Sequence, residues 1–234
     1  MHNYRIWPHQ PVDIYSLFPL VRRISSRLTP LLGRSPLSAN HISFLSLALG
    51  LAAAWSIVYD EYLMTVIGGF LMVGCYVLDN CDGEIARLKG QSSQFGRRLD
   101  NFVDWAVDTA LFAALGVGVA GSSGQEVWAW MGWSAAIGST INYIIGSIAE
   151  ERQMKSNAAG KNVAAAEKPG RNPPETIGQW LMHIFRELSR ADFCFILLGL
   201  ALFGYAWVLL PLAAAGAHAF WAVHLLPGAG ERNV

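Results

Sequence analysis

Residues 79–104 read DNCDGEIARLKGQSSQFGRRLDNFVD, and the spacing of their acids decides how the rest of the chain is read. On a helix, Asp79 and Asp82 stand at i and i+3 and share a face, and Gly83 and Ala86 continue the same stripe. On the helix that follows, Gly96, Asp100 and Asp104 recur at i, i+4 and i+8 and again share a face. Two adjacent antiparallel helices therefore aim four carboxylates at one point, while the small residues beside them let a ligand approach the backbone. Carboxylates that converge in this way repel one another and are driven partly neutral unless a cation sits among them. Oxygen ligands without histidine or thiolate point to Mg2+ or Mn2+ rather than zinc or copper. Two ions can share such a cluster, a geometry that suits phosphoryl transfer because paired metals stabilise both the attacking and the leaving oxygen.

The surroundings of this segment are those of a membrane protein. The 234 residues are 53% hydrophobic and 15% charged, with a mean hydropathy of +0.32, which is too apolar for an ordinary soluble domain of this length. A membrane-crossing helix needs about 20 mostly apolar residues. Six segments meet that test: 42–59, 62–79, 99–120, 127–148, 193–209 and 211–226. The last two share one charge-free stretch, and the expected break falls at Leu210 and Pro211. With six spans and a cytosolic start, all 17 Lys and Arg residues fall on the cytosolic side, and the outer loops carry only Asp60, Glu61 and Glu126. That one-sided distribution supports both the span count and the orientation, with both termini inside. Acids within membrane helices are costly and usually functional, and the motif acids stand at the cytosolic boundary, where a soluble nucleotide and a lipid can meet.

The remaining polar regions frame these spans. Residues 12–34 set Ile14, Leu17, Phe18 and Val21 beside Arg22, Arg23 and Arg27, the pattern of an amphipathic helix on the cytosolic interface. Residues 149–175 read as a cytosolic loop, and 176–190 resume apolar periodicity as a short interfacial helix. Met1 and the nine residues after it form no cleavable leader pattern, so the spans themselves are expected to direct insertion. A net charge of zero gives no pull toward nucleic acid. Cys75, Cys81 and Cys194 form no CxxC pair and read as inert buried thiols. Trp128, Trp130 and Trp133 read as an aromatic belt near the outer boundary, and His218 and His224 as packing residues.

Eight positions of the quoted segment match the signature D-x2-D-G-x2-A-R-x8-G-x3-D-x3-D: Asp79, Asp82, Gly83, Ala86, Arg87, Gly96, Asp100 and Asp104. A chance match at average residue usage is on the order of 10⁻⁸. On these residues the chain resembles the CDP-alcohol phosphotransferases, and Asn40, Ile42 and Ser43, which open the first span, fit that likeness. The resemblance implies an all-α membrane enzyme: six transmembrane helices with an amino-terminal interfacial helix in one domain over 1–234. Residues 1–40 would be the arm and that helix, and 149–190 the cytosolic loop and short helix.

The resemblance also implies roles. Asp79, Asp82 and Asp100 would bind the metal pair with help from Asp104, which would also deprotonate the acceptor hydroxyl. Gly83, Ala86, Arg87 and Gly96 would hold the CDP part of the donor, with Arg87 near the diphosphate, and Asn40 and Ser43 would border the nucleotide pocket. The hydroxyl attacks the phosphorus bearing the alcohol, and CMP departs. The donor is CDP-diacylglycerol or a soluble CDP-alcohol, and the acceptor an alcohol or its phosphate. DNCDGEIARLKG resembles the inositol-phosphate branch. Arg171 and Arg190 are the candidate contacts for an acceptor phosphate, since Arg binds phosphate bidentately. A homodimer in a bacterial or archaeal inner membrane follows from the same likeness. A transporter or proton relay would explain the acids but not Gly83, Ala86, Arg87 and Gly96 at fixed offsets. Asp108 extends the acidic stripe one further turn, where a hydrogen-bonded structural role is expected ahead of a fifth ligand.

Overall fold

A computed structural model describes residues 20–158 and 193–225. Its elements are α1 (Leu20–Gly33), α2 (Ala39–Ile57), α3 (Tyr62–Leu88), α4 (Gln94–Ser123), α5 (Val127–Ala158), α6 (Phe193–Leu202), a 3-10 turn (Ala206–Val208) and α7 (Leu209–Leu225). No strand occurs among the described residues. α2, α3 and α4 are long and apolar enough to cross a membrane. At about 1.5 Å per residue, α3 and α4 are each some 40 Å or more long, longer than a hydrocarbon core of about 30 Å, so their ends project beyond it.

α3 is the centre of the packing: α1, α2 and α6 lie against it, α2 also meets α4, and α5 joins α4 to α7. Met72, Cys75, Val103, Val107, Leu111 and Leu115 are buried between these helices, whereas Trp55, Leu63 and Phe70 point outward. An apolar outer surface is what a bilayer solvates, so interior and exterior are here both hydrophobic. Glycine brings α4 and α5 together. A Cβ on Gly116 would lie 2.8 Å from the Gly132 Cα and from the Trp128 carbonyl oxygen, so only a residue without a side chain permits that approach.

The ends of the helices are set by local chemistry. Ser38 caps α2: its hydroxyl accepts from the His41 N–H, and the His41 ring accepts from the Ser38 N–H. α3 stops at Gly90, whose φ of 65° puts it in the left-handed region. The Gln91 N–H then donates to Ala86 O at 2.8 Å and the Gly90 N–H to Arg87 O at 3.4 Å, which is a Schellman ending. Ser93 starts α4 by accepting from the Gly96 N–H at 3.0 Å.

Two expected boundaries are corrected. The break in the final apolar stretch falls at Gly204, not at Leu210 and Pro211. Gly204 has φ 75°, and the Tyr205 N–H donates to Leu200 O at 2.7 Å, ending α6 in a second Schellman turn. Pro211 lies in the first turn of α7, where its missing N–H would have had no helical partner in any case. Second, 149–158 is helix rather than loop, because α5 continues to Ala158. Its sequence AEERQMKSNA is rich in helix formers, and Glu151 and Lys155 pair at i, i+4 with a separation of 2.8 Å.

Of the expected interfacial helix, Leu20–Gly33 is helical, and it buries Val21, Ser25 and Thr29. Residues 12–19, the rest of the cytosolic loop and the expected helix at 176–190 lie outside the described residues. The cysteines are buried and none forms a disulfide. Trp130 and Trp133 are exposed, as a belt requires, while Trp128 packs edge-on against Trp207 at 5.5 Å. His218 sits 3.0 Å from the Ser134 hydroxyl, a packing contact between α5 and α7.

Candidate active site

The Schellman turn at Gly90 and the cap at Ser93 reverse the chain in the few residues between Leu88 and Gln94, and α2, which packs against both α3 and α4, holds their motif faces toward one another. Oxygens of Asp79, Asp82 and Asp100 consequently lie within 4.8 Å of one another. Asp82 is the most enclosed of the three, at 4% exposure, and its Oδ2 accepts a short hydrogen bond from the Ser43 hydroxyl. Asp79 and Asp100 are half-buried. Asp79 Oδ1 is buried without a hydrogen-bond partner among the described residues. Buried carboxylate oxygen normally has a partner, and three acids this close need positive charge. An oxygen-only donor set with an orphaned acceptor is what a hard divalent cation fits.

Beside the acids lies a cleft of about 360 Å³. Asn40 and Ser43 contribute from α2, Asp82, Gly83, Ala86 and Arg87 from α3, and Gly96 and Asp100 from α4. The fold thus brings eight of the expected residues into one cavity, with Asp79 against its acidic end. The glycines keep it open. A Cβ on Gly83 would meet only the Arg87 guanidinium, 3.6 Å from Nη1, so the protein's own packing does not demand glycine there. On Gly96 a Cβ would come within 3.3 Å of Ser93 Oγ and 3.5 Å of Asn40 Oδ1, crowding the junction of α2 and α4.

Asp104 is placed differently. It is exposed, and it belongs neither to the three-carboxylate group nor to the cleft wall. It stands one turn beyond Asp100 on the same face of α4. Asp108, a further turn on, accepts a hydrogen bond from the Tyr76 hydroxyl at 3.2 Å, the structural contact expected for it. Arg171 and Arg190 lie outside the described residues.

Several contributors carry no signal in the motif. Gln91, Ser92, Ser93 and Arg97 also line the cleft, and Gln91 Oε1 accepts from the Ala39 N–H at 3.1 Å, which ties the loop after α3 to the start of α2. Glu84, at a variable motif position, accepts from Thr29 at 2.5 Å and from Ser25 at 3.3 Å. Lys89 Nζ donates to Ser35 O and Leu37 O at 2.8 and 2.7 Å. These contacts fasten α1 and its linker onto the helix that bears Asp82 and Gly83. The polar residues in the loop within the motif are the one readable hint; Ser25 and Thr29 are not legible, because their partner is more than fifty residues away.

Long apolar helices that carry clustered acids and an arginine at one end belong to an integral membrane protein, and its family match makes it a transferase of phosphate-containing groups. The family model described as CDP-alcohol phosphatidyltransferase matches residues 37–218, and the chain belongs to that family. Its members take a CDP-alcohol donor and an alcohol acceptor, and they are in general metal dependent. Two curated relatives are each described as a bifunctional IPC transferase and DIPP synthase. The protein from Aquifex aeolicus is 32% identical over 124 residues, which is 52% of this chain and 27% of that protein. The one from Rubrobacter xylanophilus is 32% identical over 107 residues, 46% of this chain and 23% of that protein. The aligned part therefore amounts to about a quarter of each relative's length.

Proposed function

We propose that this chain transfers a phosphoalcohol from a CDP-alcohol to the hydroxyl of a phosphorylated alcohol, releasing CMP, with Mg2+ or Mn2+ required. The observation that carries the reading is the meeting of Asp79, Asp82 and Asp100 beside a cleft lined by Gly83 and Arg87. Asp79, Asp82 and Asp100 would hold the cation, two ions being the expected number, and when bound these would offset the negative charge that develops on the phosphoryl oxygens. The remaining chemistry belongs to the side chains. Arg87 neutralises and orients the diphosphate with its planar fork. Gly83, Ala86 and Gly96 let the CDP moiety lie close to the backbone, and Asn40 and Ser43 border the nucleotide, Ser43 also fixing the rotamer of Asp82. Asp104 takes the acceptor's proton. Its exposure on the same helix face, outside the three-carboxylate group, leaves it accessible to a second substrate.

The likeness of DNCDGEIARLKG to the inositol-phosphate branch supports a phosphorylated polyol as acceptor, with Arg171 and Arg190 as its phosphate contacts. CDP-diacylglycerol and a soluble CDP-alcohol are the two donors to compare. Purified protein incubated with Mg2+ and a panel of such donors and of free and phosphorylated alcohols should release CMP with a phosphorylated acceptor, and chelator should stop the release. CMP release that survives chelation would overturn the metal requirement, and a preference for unphosphorylated alcohols would overturn the acceptor class.

We further read the chain as one domain over 1–234 with six spans, both termini and the site cytosolic, in a bacterial or archaeal inner membrane. The one-sided Lys and Arg distribution supports this topology. Single cysteines introduced by Gly124→Cys and Gly160→Cys should label from opposite sides of intact cells. Labelling of both from one side would remove the cytosolic site. A homodimer is the expected assembly, and cross-linking in native membranes reports it.

A further inference from the structure

We propose that Arg97 is a second phosphate-binding arginine of the cleft, positioned by Glu150 of α5, so that a carboxylate outside the cleft governs how tightly the donor's diphosphate is held. The inference deepens the donor reading above and rests on it. Arg97 and Asp100 line the cleft from α4, as Arg87 and Asp82 do from α3. Its Nε lies 3.4 Å from Glu150 Oε1. The other Glu150 oxygen accepts from Asn101 Nδ2 at 3.2 Å, so both carboxylate oxygens are engaged from α4.

Three features argue against an ordinary surface ion pair. Glu150 is largely covered, at 22% side-chain exposure, while Arg97 is 58% exposed, so the acid is fixed and the guanidinium is presented. The contact is through Nε, and the guanidinium makes no hydrogen bond to another described residue, which leaves its terminal N–H donors for a ligand. Finally, Asp100 stands at i+3 from Arg97, where an untethered guanidinium would meet it. The Glu150 contact keeps Arg97 off an acid proposed to hold the cation. An exposed ion pair adds little to stability, so holding a cation-bearing side chain at a cleft wall is the better account of the arrangement. A diphosphate carries charge on two phosphoryl groups, and arginines on two walls match it in charge and in hydrogen-bond geometry.

The test uses the full chain purified with Mg2+ and measures CDP affinity together with donor and acceptor KM. Arg97→Ala should weaken CDP binding about tenfold or more, and Arg97→Lys should recover part of the loss. Glu150→Gln should weaken it several-fold, and the Arg97→Ala, Glu150→Gln double variant should be no weaker than Arg97→Ala alone, because Glu150 acts through Arg97. Additive losses would overturn the positioning role. CDP affinity unchanged in Arg97→Ala, or a rise confined to the acceptor KM, would overturn the assignment to the donor's diphosphate. If the unaltered protein turns over its substrates without binding CDP, the donor reading itself falls, and this inference with it.

Discussion

Asp82→Asn and Asp100→Asn are each expected to lower kcat by a factor on the order of 10³ or more, with insertion and purification unaffected. The amide has the shape of the carboxylate and, at position 82, still accepts from the Ser43 hydroxyl, so nothing in the packing of α2 against α3 is lost. What changes is charge. With the three carboxylates within 4.8 Å of one another, removing one anion weakens the hold on a hard cation and leaves the remaining pair less able to keep it in place. The same change relieves mutual repulsion when no divalent ion is present. In chelator, both variants should therefore melt at or above the temperature of the unaltered protein, an inverse relation between stability and activity that a purely structural role would not produce. CMP release and thermal melting in chelator measure the two effects. Turnover within about tenfold of the unaltered protein would exclude these acids as the metal site.

Asp104→Asn should reduce kcat by about 10² to 10⁴, the range for loss of a general base, while CDP affinity changes little. The contrast with Asp82 and Asp100 follows from placement. Asp104 lies outside the three-carboxylate group and off the donor cleft, and its side chain is exposed one turn beyond Asp100. An amide there cannot take a proton from the acceptor hydroxyl, yet it leaves the three mutually close carboxylates and the cleft lining unaltered. The loss should consequently appear in the chemical step rather than in donor KM. Matching losses in kcat and in CDP affinity would make Asp104 chiefly a metal ligand, and the base would then lie elsewhere.

The sequence by itself determined the family, the helical class and which acids share a helix face, because these are written in local motif spacing and periodicity. Asp79 with Asp82, and Gly96 with Asp100 and Asp104, share faces by the pitch of a helix alone, whatever the helices pack against. Charge and hydropathy likewise marked 62–79 and 99–120 as apolar segments, and both lie within long apolar helices. Where one helix ends is only partly local. Pro211 was read as a break, yet the left-handed turn at Gly204 ends α6, since a proline in a first turn costs nothing. The tertiary structure alone decided which residues meet across helices. Glu84 takes Ser25 and Thr29 as partners, Gln91 takes Ala39, and Glu150 takes Arg97 and Asn101. Such pairs depend on the rotation and crossing of helices whose outer faces are as apolar as their inner ones, so hydropathy does not reveal which face turns inward. Close approach at Gly116 and Gly132, and reversal at Gly90, set that rotation. Which three of the motif acids lie within 4.8 Å of one another is likewise invisible in the even i, i+4 spacing of the motif.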